Sequence, residues 1–260
     1  MKSTITLTFG DVAENHVRME KIGKMAASGF SCEELMNGYA HFSGKGYDCE
    51  LIDLCEALPE KFRDKEEGAE DAMVLVVREG VKALIGDEYT VEGLRAEQEA
   101  LDVDTKAFMY GRVCNKKARY NLCFADYSQE PDYEEGKGRV VNFADIPITA
   151  KIRESLPDYM GDKCVGLMAE GNYYYDISKC GIGFHGDAER RIVVGVRLGA
   201  SLPLHYRWYL RGECVSEPVK LIFNDGDIYF MSDKATGNDW KKKKILTLRH
   251  AAGAAKFLGL

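Results

Sequence analysis

The sequence predicts an α+β protein: a strand-rich core of the double-sheet jelly-roll or barrel kind, preceded by a mainly helical, acidic N-terminal region. Three observations carry this expectation. Apolar residues in the first hundred positions recur at helical spacing. From Tyr110 onward Gly and Tyr become frequent and the apolar spacing shifts toward two. The strand-like runs that follow are short and joined by Gly/Asp turns, which argues against βαβ units. The division falls at residues 1–105 for the helical region and 106–260 for the strand-rich domain.

Taken in order, residues 4–9 form a short strand-like start, and Met19, Ile22, Met25 and Ala26 then fall at helical spacing. Ser31-Cys-Glu-Glu34 reads as a capping box opening a second helix. Leu51, Ile52, Cys55 and Leu58 mark a third. Residues 66–85 carry Met73, Val76, Val77, Val81 and Leu84 on one face, with Gly86 as the stop. Residues 90–101 read as a shorter acidic helix. In the second half, Asp145-Ile-Pro147 begins one more helix with Ile148, Ile152 and Leu156 inward. Residues 202–210 alternate apolar and polar with a period of two. Further strands fit residues 192–198, 219–223, 227–231 and 245–249.

With 45% hydrophobic and 30% charged residues, the 260-residue chain has the composition of an ordinary globular protein, so disorder is excluded as its main state. No apolar run reaches the roughly 18–20 residues of a membrane span, and the N-terminus lacks a signal-peptide core. An intracellular protein, cytoplasmic or nuclear and away from membranes, is expected. The eight cysteines contain no CxxC pair, which removes zinc-ribbon and thioredoxin readings and leaves reduced, mostly buried thiols. The net charge of −7 is unevenly spread: residues 1–104 carry 11 basic and 23 acidic side chains, residues 105–260 carry 24 and 19. A nucleic-acid partner is therefore excluded from the acidic part only.

The segment richest in chemistry is Gly181-Ile-Gly-Phe-His185-Gly-Asp187-Ala-Glu189. Residues two apart on a strand point to one side, so His185 and Asp187 can converge. An imidazole and a carboxylate so placed are two of the three ligands of a non-haem iron facial triad. Asn172-Tyr-Tyr174-Tyr-Asp176, Gly181-Ile-Gly183 and His185-x-Asp187-x-Glu189 together resemble the N-x-Y…IG-x-H-x-D-x-E signature of the AlkB family. Arg197-Leu-Gly199 resembles that family's S-L-G strand, Gly226-Asp227 its G-D strand, and Leu246-Thr-Leu-Arg249 its closing N-L-T-F-R. Upstream, Gly111-Arg112, Arg119 and Phe124-Ala-Asp126 are similar to its nucleotide-recognition loops. The resemblance spans residues 108–253. It implies a double-stranded β-helix (jelly-roll) core and an Fe(II)/2-oxoglutarate-dependent dioxygenase that demethylates or hydroxylates a nucleobase in DNA or RNA.

Within that resemblance, Arg249 and Lys243 share one side of the last strand and are expected to grip 2-oxoglutarate, with Asn172 and Tyr174 as further polar contacts. His185 and Asp187 are the expected metal ligands. The family's third ligand, a His before the closing Arg, is absent: its place falls on Trp240, Lys241 or Lys242. Asp239 is the expected substitute. His205 qualifies only if its strand face lines the cavity, and His250 only if it points away from Arg249's side or a bulge intervenes. Arg112, Lys116, Arg119 and Tyr120 interleave charge with an aromatic and are expected to hold a single-stranded or flipped-out nucleotide. The acidic N-terminal region is expected to act as a lid, a protein-docking module or a self-association element. The alternatives are hydroxylation of a protein side chain or small metabolite, and a noncatalytic AlkB-like binding module.

Overall fold

The computed structural model of the chain describes residues 2–63 and 70–259. Strand β1 (Thr4–Gly10) is followed by β2 (Val12–Glu14), β3 (Lys21–Gly23), helix α1 (Cys32–Gly44), β4 (Cys49–Asp53), β5 (Met73–Val77), α2 (Val81–Ile85) and α3 (Val91–Glu99). The hairpin of β6 (Lys106–Met109) and β7 (Arg112–Asn115) leads to β8 (Tyr120–Ala125), β9 (Val140–Asn142) and α4 (Pro147–Met160). Then come β10 (Met168–Tyr174), β11 (Gly181–His185), β12 (Val193–Gly199), β13 (Leu202–Leu210), β14 (Glu213–Cys214), β15 (Val219–Phe223) and β16 (Ile228–Met231). The chain closes with α5 (Asp233–Thr236), β17 (Thr247–Gly253) and α6 (Ala255–Leu258).

Two sheets organise the molecule, a mixed α+β protein dominated by strands. The larger runs β4-β5-β16-β12-β1-β10-β8-β9, and the smaller runs β11-β17-β13 with β14 and β15 on β13. Among the described residues, only β8 and β9 pair in parallel within these sheets. Alternation along the strands assigns the faces of the large sheet. Ile5, Leu7 and Phe9 of β1 and Val194, Val196 and Leu198 of β12 pack with Leu35 and Phe42 of α1 and Ile152 and Leu156 of α4. The opposite face, with Val74, Val76, Val193 and Met231, packs against Leu204, Tyr206, Trp208 and Leu248 of the small sheet. Trp208 also donates from Nε1 to the Leu54 carbonyl at 2.8 Å, tying the small sheet to the chain after β4.

Local signals explain several elements. Ser31 caps α1 as a capping box: Glu34 N–H donates to Ser31 Oγ at 3.1 Å, and Ser31 N–H to Glu34 Oε2 at 2.7 Å. Thr90 Oγ1 accepts from Gly93 N–H at 3.0 Å and starts α3. Pro147 opens α4 at its first turn, where its missing N–H costs nothing. The β6–β7 hairpin turns on Tyr110 and Gly111, with φ of 56° and 75°, the left-handed pair that a two-residue turn requires.

The mainly helical N-terminal region is corrected. The stretch around Met19 and Ile22 forms the β2–β3 hairpin, and Leu51 and Ile52 lie in β4. Residues 66–69 of the expected 66–85 helix lie outside the described residues. Beyond them, Met73-Val-Leu-Val-Val77 is a strand, and only Val81–Ile85 is helical. The reason is burial on both faces: Leu75 and Val77 face the helices while Val74 and Val76 face the small sheet. A continuous apolar run of this length fits helical and strand periodicity equally. Nor does residue 105/106 divide two cores, because β1 lies between β12 and β10, and β5 pairs with β16. Cys123, Cys164 and Cys180 are buried but the other five cysteines are not, so the thiols are less buried than expected. Among the described residues no helix is long and apolar enough to cross a membrane.

Candidate metal centre

The end of β11 decides the site. Ile182 pairs with Ala252, but His185 pairs with His250, so β11 gains one residue on β17 between these points. Such a bulge reverses the alternation beyond it. Ile182 faces the interior, and His185 does so too although it is an odd number of residues away. Beyond His185 the chain runs against the end of α5: Asp187 N–H donates to the Thr236 carbonyl at 2.9 Å. Gly186 is needed there, since a Cβ would collide with the Gly237 carbonyl.

His250 enters from β17 on the face that carries Leu248 and Ala252. One ligand atom each from His185, Asp187 and His250 lie within 4.8 Å of one another. The Nε2 atoms of both imidazoles are 3.6 Å from Asp187 Oδ1. Donors about 2.1 Å from one ion and 90–109° apart lie roughly 3.0–3.4 Å from each other, so the two His–Asp separations need contract by only a few tenths of an ångström to share a metal. His185 Nδ1 donates to the Gly183 carbonyl at 2.8 Å, which orients the ring and leaves Nε2 for coordination. Burial, reinforced by His250, pushes the His185 imidazole down to about 4. Burial works to raise Asp187, but His250, Arg190 and His185 outweigh it and hold its carboxyl well below the usual range. Neutral imidazole and ionised carboxylate are the forms that bind metal. The donor set therefore fits a divalent ion, with one side left open to the cavity.

That cavity, about 400 Å³, lies between the two sheets. Thr6, Asn172, Tyr174 and Arg197 contribute from the large sheet, Leu204, Ile182 and Ala252 from the small one. Arg190 is anchored in its wall by Glu170 Oε2 at 2.5 Å and Glu189 Oε1 at 3.0 Å, with Nε 3.9 Å from Asp187 Oδ2. Asn172 Oδ1 accepts from Arg119 Nε at 2.5 Å and Asn121 Nδ2 at 2.9 Å, while its Nδ2 donates to Glu170 Oε1 at 2.8 Å. A continuous polar chain thus runs from Arg119 through Asn172, Glu170 and Arg190 to Asp187.

The structure brings together His185, Asp187, Asn172, Tyr174 and Arg119 of the expected site residues. Asp239 does not join the His185–Asp187 pair; its Oδ2 is 2.8 Å from Lys234 Nζ. Arg249 is on the opposite strand face from His250, its guanidinium 4.0 Å over the Tyr209 ring and 5.1 Å from the Trp240 ring. Lys243 is exposed and does not line the cavity. Lys116 is buried, donating to Asn15 Oδ1 at 2.6 Å and Asn121 Oδ1 at 2.9 Å, and burial lowers it to about 8. Tyr120 stacks on Tyr175 at 4.9 Å. Of the four residues expected to meet a nucleotide, Arg112 is exposed on the hairpin and Arg119 lines the cavity, while Lys116 and Tyr120 serve the fold.

Sequence reading underweighted His250 and assigned Arg197 no role. The pointer to His250 was Leu246-x-Leu248-x-His250: two buried leucines followed, in the same alternation, by an imidazole on the inward face. Arg197 follows Val193 and Gly195 on the inner face of β12 and is 1% exposed.

No protein-family model matches the chain. An uncharacterized protein of Acanthamoeba polyphaga mimivirus is 49% identical to it over 261 residues, an overlap covering 99% of this chain and 98% of the viral protein. With nearly half of all positions identical over the length of both, the chain belongs to the same family as that mimivirus protein.

Proposed function

We propose that the protein is an AlkB-like, Fe(II)/2-oxoglutarate-dependent dioxygenase with a jelly-roll core, which demethylates or hydroxylates a nucleobase. The observation that carries this reading is the convergence of His185, Asp187 and His250 at one wall of a cavity between two facing sheets. Two imidazoles and one carboxylate with an open side are the donor set of non-haem iron oxygenases. Iron held there, with 2-oxoglutarate and dioxygen as co-reactants, would supply the power to oxidise an unactivated C–H bond.

The chain's own residues have three tasks. His185 and His250 offer Nε2 and Asp187 a carboxylate oxygen, and the Gly183 carbonyl keeps the His185 ring in its binding orientation. Ile182, Val193, Leu204, Met231 and Ala252 wall the cavity with apolar surface and exclude water from the reacting centre. Trp240, Arg119 and Lys241 line the same cavity and offer an aromatic plane and positive charge, the groups that take an unstacked base and its phosphates. Lys241 is exposed and continues into exposed Lys242, Lys243 and Lys244, which extends that charge over the surface.

The test is anaerobic titration with Fe(II) and 2-oxoglutarate. A metal-to-ligand charge-transfer band is expected in the wild type and none in His250→Ala. Once dioxygen is admitted, succinate release should rise with methylated single-stranded DNA or RNA. No band in the wild type would sink the dioxygenase reading. A band without stimulation by either nucleic acid would leave an oxygenase of another substrate.

A further inference from the structure

We propose that Arg197 anchors the carboxylate of a small dicarboxylic acid in the cavity, the task that the sequence assigns to Arg249. Naming that acid as 2-oxoglutarate rests on the dioxygenase reading; the anchor itself does not.

Arg197 lies in the middle of the large sheet, opposite Thr6 of β1 and facing the cavity. Its backbone is fully used: its N–H donates to the Asp227 carbonyl at 2.9 Å, and its carbonyl accepts from Gly226 N–H at 2.8 Å. The side chain is not. Nε and Nη1 are buried and meet no hydrogen-bond partner. A guanidinium keeps its charge even when buried, so such a placement is costly unless an anion is there to receive it. Nearby carboxylates are engaged elsewhere. Asp227 is held by Arg78 Nη1 at 2.8 Å and by the N–H groups of Glu79 and Asn224. Glu170 and Glu189 are bound to Arg190. Of the three arginines that line the cavity, Arg119 donates to Asn172 and Arg190 is saturated by protein anions, whereas Nε and Nη1 of Arg197 meet no protein acceptor.

Its surroundings suit a carboxylate. Gly195, two residues earlier on the same face, leaves the space that the Tyr229 ring occupies, since a Cβ there would run into that ring. Tyr229 and Tyr174 are the electrostatic neighbours of Arg197, and both line the cavity. Burial raises both phenols, so they stay protonated and can donate. Arg249 cannot replace Arg197, because its strand presents His250 to the cavity and turns Arg249 away.

The experiment compares 2-oxoglutarate with 2-oxopentanoate, which keeps the 2-oxo acid end and lacks the distal carboxylate, by calorimetry on Co(II)-loaded protein. The wild type should favour 2-oxoglutarate by about 100-fold, the worth of charge-assisted hydrogen bonds to one carboxylate. Arg197→Met should remove that preference and Arg197→Lys restore part of it, with Co(II) affinity unchanged in both. Arg197→Lys retains the charge, so it reports even if Arg197→Met folds poorly. A preference that survives in either variant at wild-type strength, or a wild type that ignores the distal carboxylate, overturns the anchor. If Co(II) is not taken up, the metal reading fails; glutarate binding to metal-free wild type but not to Arg197→Met then supports the anchor, and equal or absent binding overturns it.

Discussion

On β1, Ile5, Leu7 and Phe9 turn toward the helices, while Thr6 and Thr8 turn toward the cavity. On β12 the split repeats, with Val194, Val196 and Leu198 outward and Arg197 inward; on β10, Ala169 and Tyr173 face the helices while Glu170, Asn172 and Tyr174 face the cavity. The same three strands thus make a helix-packed apolar face and a buried polar face. The first supplies stability by removing hydrocarbon from water. The second costs stability unless every charge is matched, and the place where matching stops, at Arg197, is where a ligand is expected.

The sharpest way to break this contrast is to mutate neighbours on β1. Phe9→Ala should cost about 3–5 kcal/mol in urea unfolding, as loss of a fully buried ring does. Thr8→Ala, one residue away on the cavity face, should cost under about 1 kcal/mol. Equal losses would mean that the two faces do not differ in the way described.

Arg190 and Arg197 sharpen the comparison within the cavity face. Arg190→Met strands Glu170 and should cost about 3–5 kcal/mol. Arg197→Met removes an unmatched buried charge and should stabilise the ligand-free protein by about 1–3 kcal/mol. Chemical denaturation of both variants decides the sign.

At the metal centre, His250→Ala should lower Co(II) or Ni(II) affinity by more than the roughly 10–100-fold that loss of a supporting partner costs. Asp239→Ala should leave that affinity unchanged, because Asp239 answers Lys234 instead. Competition with a chelator measures both.

The smallest effect concerns pH. Burial, aided by Glu189, raises Glu14 of the cavity wall from 4.5 to about 7. The folded protein then holds a proton that the unfolded chain releases, so this contribution is full below 4.5 and is lost as pH rises through about 7. Glu14→Gln should flatten the stability profile across that window, as thermal melts at stepped pH would reveal.

Much of the strand-rich half was legible because period-two alternation is local: residues 202–210 and 219–223 coincide with β13 and β15. The capping box at Ser31 and the short acidic helix expected over residues 90–101 were equally local, and they stand as the start of α1 and as α3. β5 was not legible, because the two layers that cover its faces come from α1, α4 and β13, distant in sequence. In the site, His185 and Asp187 were visible as a pair two positions apart. Asp239 was chosen over His250 because the sequence shows which residues share a face but not which face is inward.

The sequence by itself determined the alternation of β13 and β15, the starts of α1, α3 and α4, the His185-x-Asp187 pair and the unequal charge of the two halves. Only the tertiary structure decided that β1 occupies the centre of a sheet otherwise built partly from residues beyond 105, and that Lys116 is a buried strut. It also decided that His250 rather than Arg249 turns inward, opposite a His185 brought round by a bulge. The physical reason is that side-chain alternation is set within a strand, whereas register, bulges and burial arise from pairing between segments far apart in the chain.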